Sequence, residues 1–153
     1  DSIEKLNHIL NGFEKLGYRV LFLVHPRTYN LMKDLIHSTK YKNIIFSRPV
    51  SYLQMIILTS FAKKVLTDSG GLQKEAYFLE IPCVTLRDQT EWTETLEGNW
   101  NILCGINEQE IVNKTTESTP DKNVLFKKHF GDGKASEKIE SLLTAVVTER
   151  DII

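Results

Sequence analysis

Short apolar runs alternate with segments of helical period along most of this sequence, and this alternation limits the fold more than any other feature. Residues 20–24 form a continuous apolar run, as expected for a strand covered by helices on both faces of a parallel sheet. Strands are predicted at 20–24, 43–47, 64–67, 83–86 and 101–103, and helices at 3–16, 29–36, 51–61, 72–79, 108–114, 124–130 and 135–147. The sequence therefore predicts an α/β fold with an open parallel sheet, whose ligands bind outside the carboxyl ends of the strands.

Composition limits the domain count and the classes of partner. The chain has 153 residues, with 19 Lys and Arg against 20 Asp and Glu, so a single domain over 1–153 is expected. A net charge of −1 offers no basic field for nucleic acid, and every apolar run is shorter than the roughly 20 residues of a membrane-spanning helix. Cys83 and Cys104 fit no metal-ligand spacing and are interpreted as reduced core residues. We expect a cytoplasmic protein with neither nucleic-acid nor membrane partners.

The sequence opens with a predicted helix, whereas a helix packed on a parallel sheet normally follows a strand. We therefore expect a fragment of a longer protein. The part outside it should include an upstream domain and a first strand.

The segment 67–76 joins a predicted strand to a predicted helix and has the features of a phosphate-binding loop. Gly70 and Gly71 let the backbone approach an anion, Ser69 supplies a hydroxyl, and the helix N-terminus supplies unpaired N–H groups. Glu75 follows one helical turn later, where its carboxylate is placed to accept hydrogen bonds from the vicinal hydroxyls of a ribose. The alternative is a helix cap with a tight turn and a solvated Glu75.

Two further polar loops follow predicted strands at the same edge of the sheet. His25 and Arg27 place an imidazole and a guanidinium after the first strand, where both can meet phosphate oxygens; a surface turn is the alternative. Arg87, Thr90 and Glu91 follow the fourth strand, where the alternative is a solvated loop with internal pairing of the arginine and the glutamate. Three polar loops at one edge favour a single ligand site.

Two sequence strings, D-S-G-G-L-Q-K-E-A from Asp68 and R-D-Q-T-E-W-T-E from Arg87, resemble those of the non-hydrolysing UDP-N-acetylglucosamine 2-epimerases. The segments 25–27, 98–101 and 129–135 are similar to the family in the same order. This family has two Rossmann-like domains in the glycosyltransferase-B arrangement. The resemblance implies that the chain is the C-terminal UDP-binding domain, and that the N-terminal domain of the same protein is its partner. A homodimer is an open alternative for the assembly.

The resemblance also implies roles for individual residues in UDP binding. Ser69, Gly70 and Gly71 would hold the diphosphate, and Glu75 would bind the ribose hydroxyls. The backbone near Met55 would receive the uracil edge.

The remaining roles implied by the resemblance concern the sugar end. His25 would face the phosphates and the leaving-group side, with a catalytic role. Arg87 would contribute to UDP binding near the sugar, and Thr90 and Glu91 would line the sugar end.

The family reaction eliminates UDP from UDP-N-acetylglucosamine to give a 2-acetamidoglucal, then adds UDP back with inversion at C2 to give UDP-N-acetylmannosamine. It implies UDP or a UDP-sugar as the ligand, and neither a metal nor a redox cofactor. The acidic residues that move the C2 proton come mostly from the N-terminal domain, and a His-Arg-x-Glu-Asn strand precedes the opening helix. Both are outside this chain, so the chain alone should not epimerise.

Several alternatives remain open from the sequence. Trp92 replaces the start of an Arg-Pro pair that other family members carry after Thr-Glu, which leaves a di-N-acetylated UDP-uronic acid open as the substrate. A glycosyltransferase of the same architecture and a non-catalytic UDP-sugar-binding module are alternatives to the epimerase.

Overall fold

The computed structural model describes residues 2–122 and 129–150 and confirms the predicted α/β class, with parallel strands flanked by helices. The helices are α1 (Ile3–Lys15), α2 (Pro26–Ile36), α3 (Tyr52–Ser60), α4 (Gly70–Phe78), α5 (Glu108–Glu117) and α6 (Ala135–Arg150). The strands are β1 (Val20–Leu23), β2 (Ile44–Ser47), β3 (Val65–Thr67), β4 (Cys83–Thr85) and β5 (Asn101–Leu103), and a 3₁₀ segment covers Thr93–Asn99. Every predicted strand is present, and the predicted helix at 124–130 lies mostly outside the described residues.

Two helices begin earlier than the sequence pattern predicts. α2 begins at Pro26 rather than at residue 29, because proline suits the first helical position and the preceding His25 acts as the N-cap. α4 begins at Gly70 rather than at residue 72, directly after Ser69, whose backbone is extended. Both predicted polar loops are therefore helix N-termini.

The strands form two parallel sheets instead of the single five-stranded sheet expected from the sequence. β1 pairs with β2, and β4 lies between β3 and β5. These orders match the two arms of the doubly wound order 3-2-1-4-5-6 when β1 to β5 take the places of strands 2 to 6. The edges of β1 and β3 line a cavity of about 1520 Å³, and neither edge pairs with another strand of the described chain.

The main core joins α1, α2 and α5 to the first sheet, and Leu10, Met32 and Ile111 are fully buried in it. α1 packs closely on α5 because Gly12 has no side chain. A Cβ at that position would lie 3.1 Å from Cβ and Cγ2 of Ile111 and 3.3 Å from the backbone oxygen of Glu108. This contact fixes the spacing of the two helices.

The two cysteines are free thiols, as the sequence predicts. Burial raises the pKa of Cys83 to about 12. Burial also raises the pKa of the half-buried Cys104 to about 11, with a smaller contribution from the nearby Glu110 carboxylate. Both thiols are therefore protonated at neutral pH and are weak nucleophiles.

The described chain divides into two compact units, one ending at Asp121 and one starting at Lys122. The second unit contains α6. Before this helix the Asp132 carboxylate accepts a hydrogen bond from the backbone N–H of Lys134 at 3.1 Å and pairs with the Lys138 ammonium at 3.1 Å. Asp132 therefore anchors the first turn of α6.

Replacing Gly12 with Val should lower the free energy of unfolding by about 1–3 kcal/mol, because the added methyl groups have no space between α1 and α5. The matched control is Lys5→Val, which adds the same β-branched residue to the exposed side of α1 and should cost less than about 1 kcal/mol. Urea unfolding followed by circular dichroism measures both values. Equal losses in the two variants would contradict a tight helix contact at Gly12.

Candidate functional site

The cavity between the two sheets reaches the carboxyl ends of β1 and β3, where it is lined by polar residues. Six of the predicted site residues line it, and the predicted Gly70 is not among the lining residues: His25, Arg27, Met55, Ser69, Gly71 and Glu75 line the cavity. They come from α2, α3 and α4: His25 and Ser69 are N-cap residues, and the others lie within the helices. The structure thus brings together three segments that lie far apart in the sequence.

The start of α4 presents unpaired backbone N–H groups at this cavity. Ser69 is the N-cap residue, but its side chain makes no capping hydrogen bond, and its backbone N–H donates to Thr67 Oγ1 at 3.0 Å. The first hydrogen bond of the helix runs from the N–H of Gln73 to the backbone oxygen of Ser69 at 3.2 Å. The N–H groups of Gly70, Gly71 and the next residue therefore have no acceptor within the helix, and the positive end of the helix dipole lies beside them.

The two glycines of this turn lack side chains for different reasons. A Cβ at Gly70 would lie 2.9 Å from Nε1 of Trp92, so packing within the chain excludes a side chain there. A Cβ at Gly71 would meet only Ser69 Oγ at 3.8 Å, which is an ordinary contact. No contact of the described chain requires glycine at position 71. Its absent side chain leaves the backbone open toward the cavity, which suits close approach of an anion.

Glu75 lies one helical turn after Gly71 and is half-buried at the cavity wall. Its carboxylate makes neither a hydrogen bond nor an ion pair with any residue that the structure describes. Because its oxygens have no partner there, this carboxylate can accept a hydrogen bond from a ligand hydroxyl.

His25 brings a second helix N-terminus to the same cavity. Its Nδ1 accepts a hydrogen bond from the backbone N–H of Arg27 at 3.2 Å, and its backbone oxygen accepts from the N–H of Tyr29 at 3.0 Å. Because Nδ1 is the acceptor, the neutral imidazole carries its proton on Nε2, which remains for a ligand. The cavity therefore has helix N-termini from both α2 and α4 at its polar end.

Met55 lies in α3, and its backbone N–H is already used. That group donates to the backbone oxygen of Ser51 at 2.9 Å, and the side chains of Ser51 and Gln54 form a capping box at the helix start. At the start of α3, the backbone N–H groups of Tyr52 and Leu53 have no partner in the described chain. A nucleobase at α3 would meet those groups rather than the N–H of Met55.

Arg87, Thr90 and Glu91 do not line the cavity but lie on the adjacent loop between β4 and the 3₁₀ segment. The Arg87 guanidinium binds both carboxylate oxygens of Glu91, at 3.3 and 3.0 Å. The internal pair considered as an alternative from the sequence is therefore present. This loop adjoins the start of α4, since Glu91 Oε2 would lie 3.9 Å from a Cβ at Gly70.

Sequence reasoning missed a group of buried polar residues beneath this loop. Gln73, Thr85, Thr95 and Asn101 are at most 1% exposed and are linked by hydrogen bonds. Polar residues within apolar strands were the sequence signal that could have revealed this group, namely Thr85 at the end of β4 and Asn101 at the start of β5.

No group of three or more His, Cys, Asp or Glu side chains in the described part of the chain is arranged to hold a metal ion. Among the helices described, none is long and apolar enough to cross a membrane.

The fold and the cavity together define an α/β domain with a candidate ligand site at the carboxyl ends of parallel strands. The chain belongs to the UDP-N-acetylglucosamine 2-epimerase family, whose model matches residues 1–144. This confirms the family predicted from the two sequence strings.

Relatives match nearly all of this chain but less than half of their own length. A UDP-N-acetylglucosamine 2-epimerase homolog of Methanococcus maripaludis is 44% identical over 94% of this chain and 41% of the relative. A UDP-2,3-diacetamido-2,3-dideoxy-D-glucuronate 2-epimerase of Pseudomonas aeruginosa is 40% identical over 94% of this chain and 40% of the relative. The crystal structure of the Methanocaldococcus jannaschii UDP-GlcNAc 2-epimerase in complex with UDP-GlcNAc and UDP superposes with a TM-score of 0.82 at 37% identity. It covers 95% of this chain and 42% of that one. The chain thus spans about two fifths of the length of these relatives.

The pKa of Glu91 tests the ion pair on the adjacent loop. A hydrogen bond from its own backbone N–H and the Arg87 guanidinium lower that pKa below its usual value. Replacing Arg87 with Met should therefore raise the pKa of Glu91, measured by carboxyl carbon NMR during an acid titration. Any stability the pair contributes should be present at neutral pH and be lost as pH falls through the lowered pKa. Arg27→Met is the matched control and should leave the value unchanged. A Glu91 pKa that does not respond to the loss of Arg87 would show that the pair is absent in solution.

Proposed function

We propose that this chain is the nucleotide-binding half of a UDP-N-acetylglucosamine 2-epimerase. The whole protein interconverts UDP-N-acetylglucosamine and UDP-N-acetylmannosamine by eliminating UDP and adding it back with inversion at C2. The observation that carries this proposal is the polar end of the cavity, at the carboxyl ends of β1 and β3, where a helix N-terminus without a capping side chain, the carboxylate of Glu75 and the imidazole of His25 lie together.

Each of these groups matches one part of the nucleotide. The N–H groups at Gly70 and Gly71, together with the Ser69 hydroxyl, suit the diphosphate, because a helix N-terminus favours negative charge. Glu75 suits the ribose hydroxyls, which donate to a carboxylate. The start of α3, near Met55, suits the uracil.

His25 suits the leaving-group side of the reaction. Elimination breaks the bond between C1 and the phosphate oxygen, so negative charge develops on the departing UDP. The Nε2–H of His25 and the start of α2 would stabilise that charge. The relative solved with UDP-GlcNAc and UDP supports a nucleotide as the ligand of this fold.

The part of the whole protein that lies outside this chain would supply the other groups that the reaction needs. The chain spans about 41% of its relatives, so an N-terminal domain is its partner in this proposal. That domain would carry the acidic residues that move the C2 proton. A strand preceding α1 would join the edges of β1 and β3 and complete the order 3-2-1-4-5-6. Residues 1–153 would form one UDP-binding domain of that enzyme. A cytoplasmic location and a homodimer stay predictions.

A second candidate is the same chemistry on a UDP-uronic acid with two acetamido groups. The observation that favours it is the 40% identity to the Pseudomonas aeruginosa epimerase that acts on such a sugar. Incubating the whole protein with each nucleotide sugar, and separating the products, decides between the two. Release of UDP and a glycal without any acceptor separates both from a glycosyltransferase. Binding without turnover of either nucleotide sugar would indicate a binding module.

The ribose assignment predicts a loss of selectivity in Glu75→Gln. We expect the affinity for UDP to fall about tenfold or more, because hydrogen bonds to a charged group contribute roughly 1.5–3 kcal/mol each. The affinity for 2′,3′-dideoxyuridine diphosphate should change much less, because that ligand lacks both hydroxyls. Calorimetric titration measures the four dissociation constants, first in this chain and then in the whole protein.

The matched control is Glu110→Gln, which removes an exposed carboxylate from α5 outside the cavity. It should bind both ligands as the unchanged chain does. If Glu75→Gln weakens both ligands equally, Glu75 does not bind the ribose.

A further inference from the structure

A closed ring of hydrogen bonds lies beneath the loop that follows β4, and it connects that loop to α4 and β5. Gln73 Oε1, in α4, accepts from Thr90 Oγ1 at 2.6 Å and from Asn101 Nδ2, in β5, at 3.2 Å. Asn101 Nδ2 also donates to Thr95 Oγ1 at 2.9 Å. The Asn101 side chain is oriented by Thr85, whose hydroxyl donates to Asn101 Oδ1 at 2.7 Å. The ring therefore joins elements that lie far apart in the sequence.

The backbone of Trp92 closes the ring. Its N–H donates to Thr90 Oγ1 at 3.1 Å, and its backbone oxygen accepts from Thr95 Oγ1 at 2.6 Å. Each of these two hydroxyls donates one hydrogen bond within the ring and accepts another, so each has used its single proton. Both backbone polar groups of Trp92 are therefore held by side chains that Gln73 and Asn101 hold in turn.

The ring reaches the first turn of α4 at two points. The first is Gln73 itself, whose backbone N–H donates to the Ser69 oxygen at 3.2 Å and so closes that turn. The second is the Trp92 indole, because its Nε1 would lie 2.9 Å from a Cβ at Gly70. The Lys74 ammonium lies 3.8 Å from the centre of the same indole, so the indole also contacts the next turn of the helix. A shift of Gln73 or of Trp92 would therefore move the turn that carries the unpaired N–H groups.

One group in the ring is unfavourable, which indicates that the ring serves geometry rather than stability. Gln73 is 0% exposed, yet its Nε2 has no hydrogen-bond partner in the described chain. A buried donor without a partner lowers stability, and an apolar residue of similar shape would avoid that cost. What an apolar residue cannot supply is the acceptor that receives Thr90 and Asn101 together.

We propose that Gln73, Thr90, Thr95 and Asn101 are positioning residues that hold the first turn of α4 in the geometry that receives the diphosphate of the nucleotide. This inference rests on the proposed function and goes beyond it, because three of these residues lie outside the cavity lining and act through Trp92 and Gln73. The hydroxyl proton of Thr90 is donated to Gln73, so Thr90 acts on the turn instead of donating to the sugar. A turn that has its bound geometry in advance binds an anion more tightly, because little ordering remains to be done on binding.

The test compares Thr95→Val with Thr95→Ser in the whole protein. Valine matches threonine in shape but lacks the hydroxyl, whereas serine keeps it. The matched control is Thr115→Val, since Thr115 is also buried but its hydroxyl has no partner among the described residues. If Thr95→Val does not fold, Thr90→Val at the half-buried end of the ring replaces it, with Thr90→Ser as its rescue and with the same results expected.

The first readout is the backbone amide NMR signal of Gly70 in the protein without ligand. Labelling the serine carbonyl with carbon-13 and glycine with nitrogen-15 selects serine–glycine pairs, and residues 69 and 70 form the one such pair in this chain. Ser69→Ala removes that signal and so identifies it among any from elsewhere in the protein. In Thr95→Val the signal should shift or broaden, because the indole beside Gly70 moves, whereas Thr95→Ser and Thr115→Val should leave it near its original position. An unchanged signal in Thr95→Val would show that the ring does not hold the turn.

The second readout is the affinity for UDP, measured by calorimetric titration. In Thr95→Val we expect this affinity to fall by about threefold to tenfold, because the turn no longer has its bound geometry before the diphosphate arrives. Thr95→Ser should restore most of the affinity, and Thr115→Val should bind as the unsubstituted protein does. A Gly70 signal that shifts while the affinity for UDP stays the same would overturn the proposal.

Inorganic pyrophosphate separates this proposal from the proposed function. If the unsubstituted protein binds pyrophosphate but not UDP, the assignment of a nucleotide fails, and a fall in pyrophosphate affinity in Thr95→Val would still support the positioning role. If UDP binds equally well to the unsubstituted protein and to Thr95→Val, the nucleotide assignment stands and the positioning role fails. If the unsubstituted protein binds neither ligand, both fail.

Discussion

Parallel pairing is the constraint on which the rest of this structure depends. Each strand pairing in the described chain is parallel, so successive strands end at the same edge of their sheet and each returns through a helix on one face. The N-termini of α2, α3 and α4 consequently gather near that edge, and side chains far apart in sequence line one cavity. A ligand that carried negative charge would meet several positive helix ends at once.

The sequence was a good guide to elements and a poor guide to their contacts. Apolar runs identified all the strands, because their sequences have no polar alternation, although Leu21 in β1 and Ile45 in β2 are exposed in the structure. The segment from Ser69 to Gly71 could be recognised from its residue types as the turn between a strand and a helix, and its role in anion binding stays a prediction. The starts of α2 and α4 were predicted too late, since Pro26 and Gly70 were counted with the loops rather than with the first helical turn.

Other features depend on distances that no local pattern contains. The paired Arg87 and Glu91 were considered only as an alternative, because spacing along the chain does not reveal whether two charged groups face a ligand or each other. Buried polar residues such as Asn101 were counted as parts of strands. Their importance appears only when Gln73, from another element, is found within hydrogen-bonding distance.

The cavity between β1 and β3 has a consequence for how this chain behaves in solution. Each of these strands presents an edge of backbone N–H and C=O groups that are not bonded to another described strand, and such edges readily pair with strands of other molecules. A net charge of −1 provides little repulsion to keep copies apart. We therefore expect the isolated chain to associate through these two strand edges as its concentration rises.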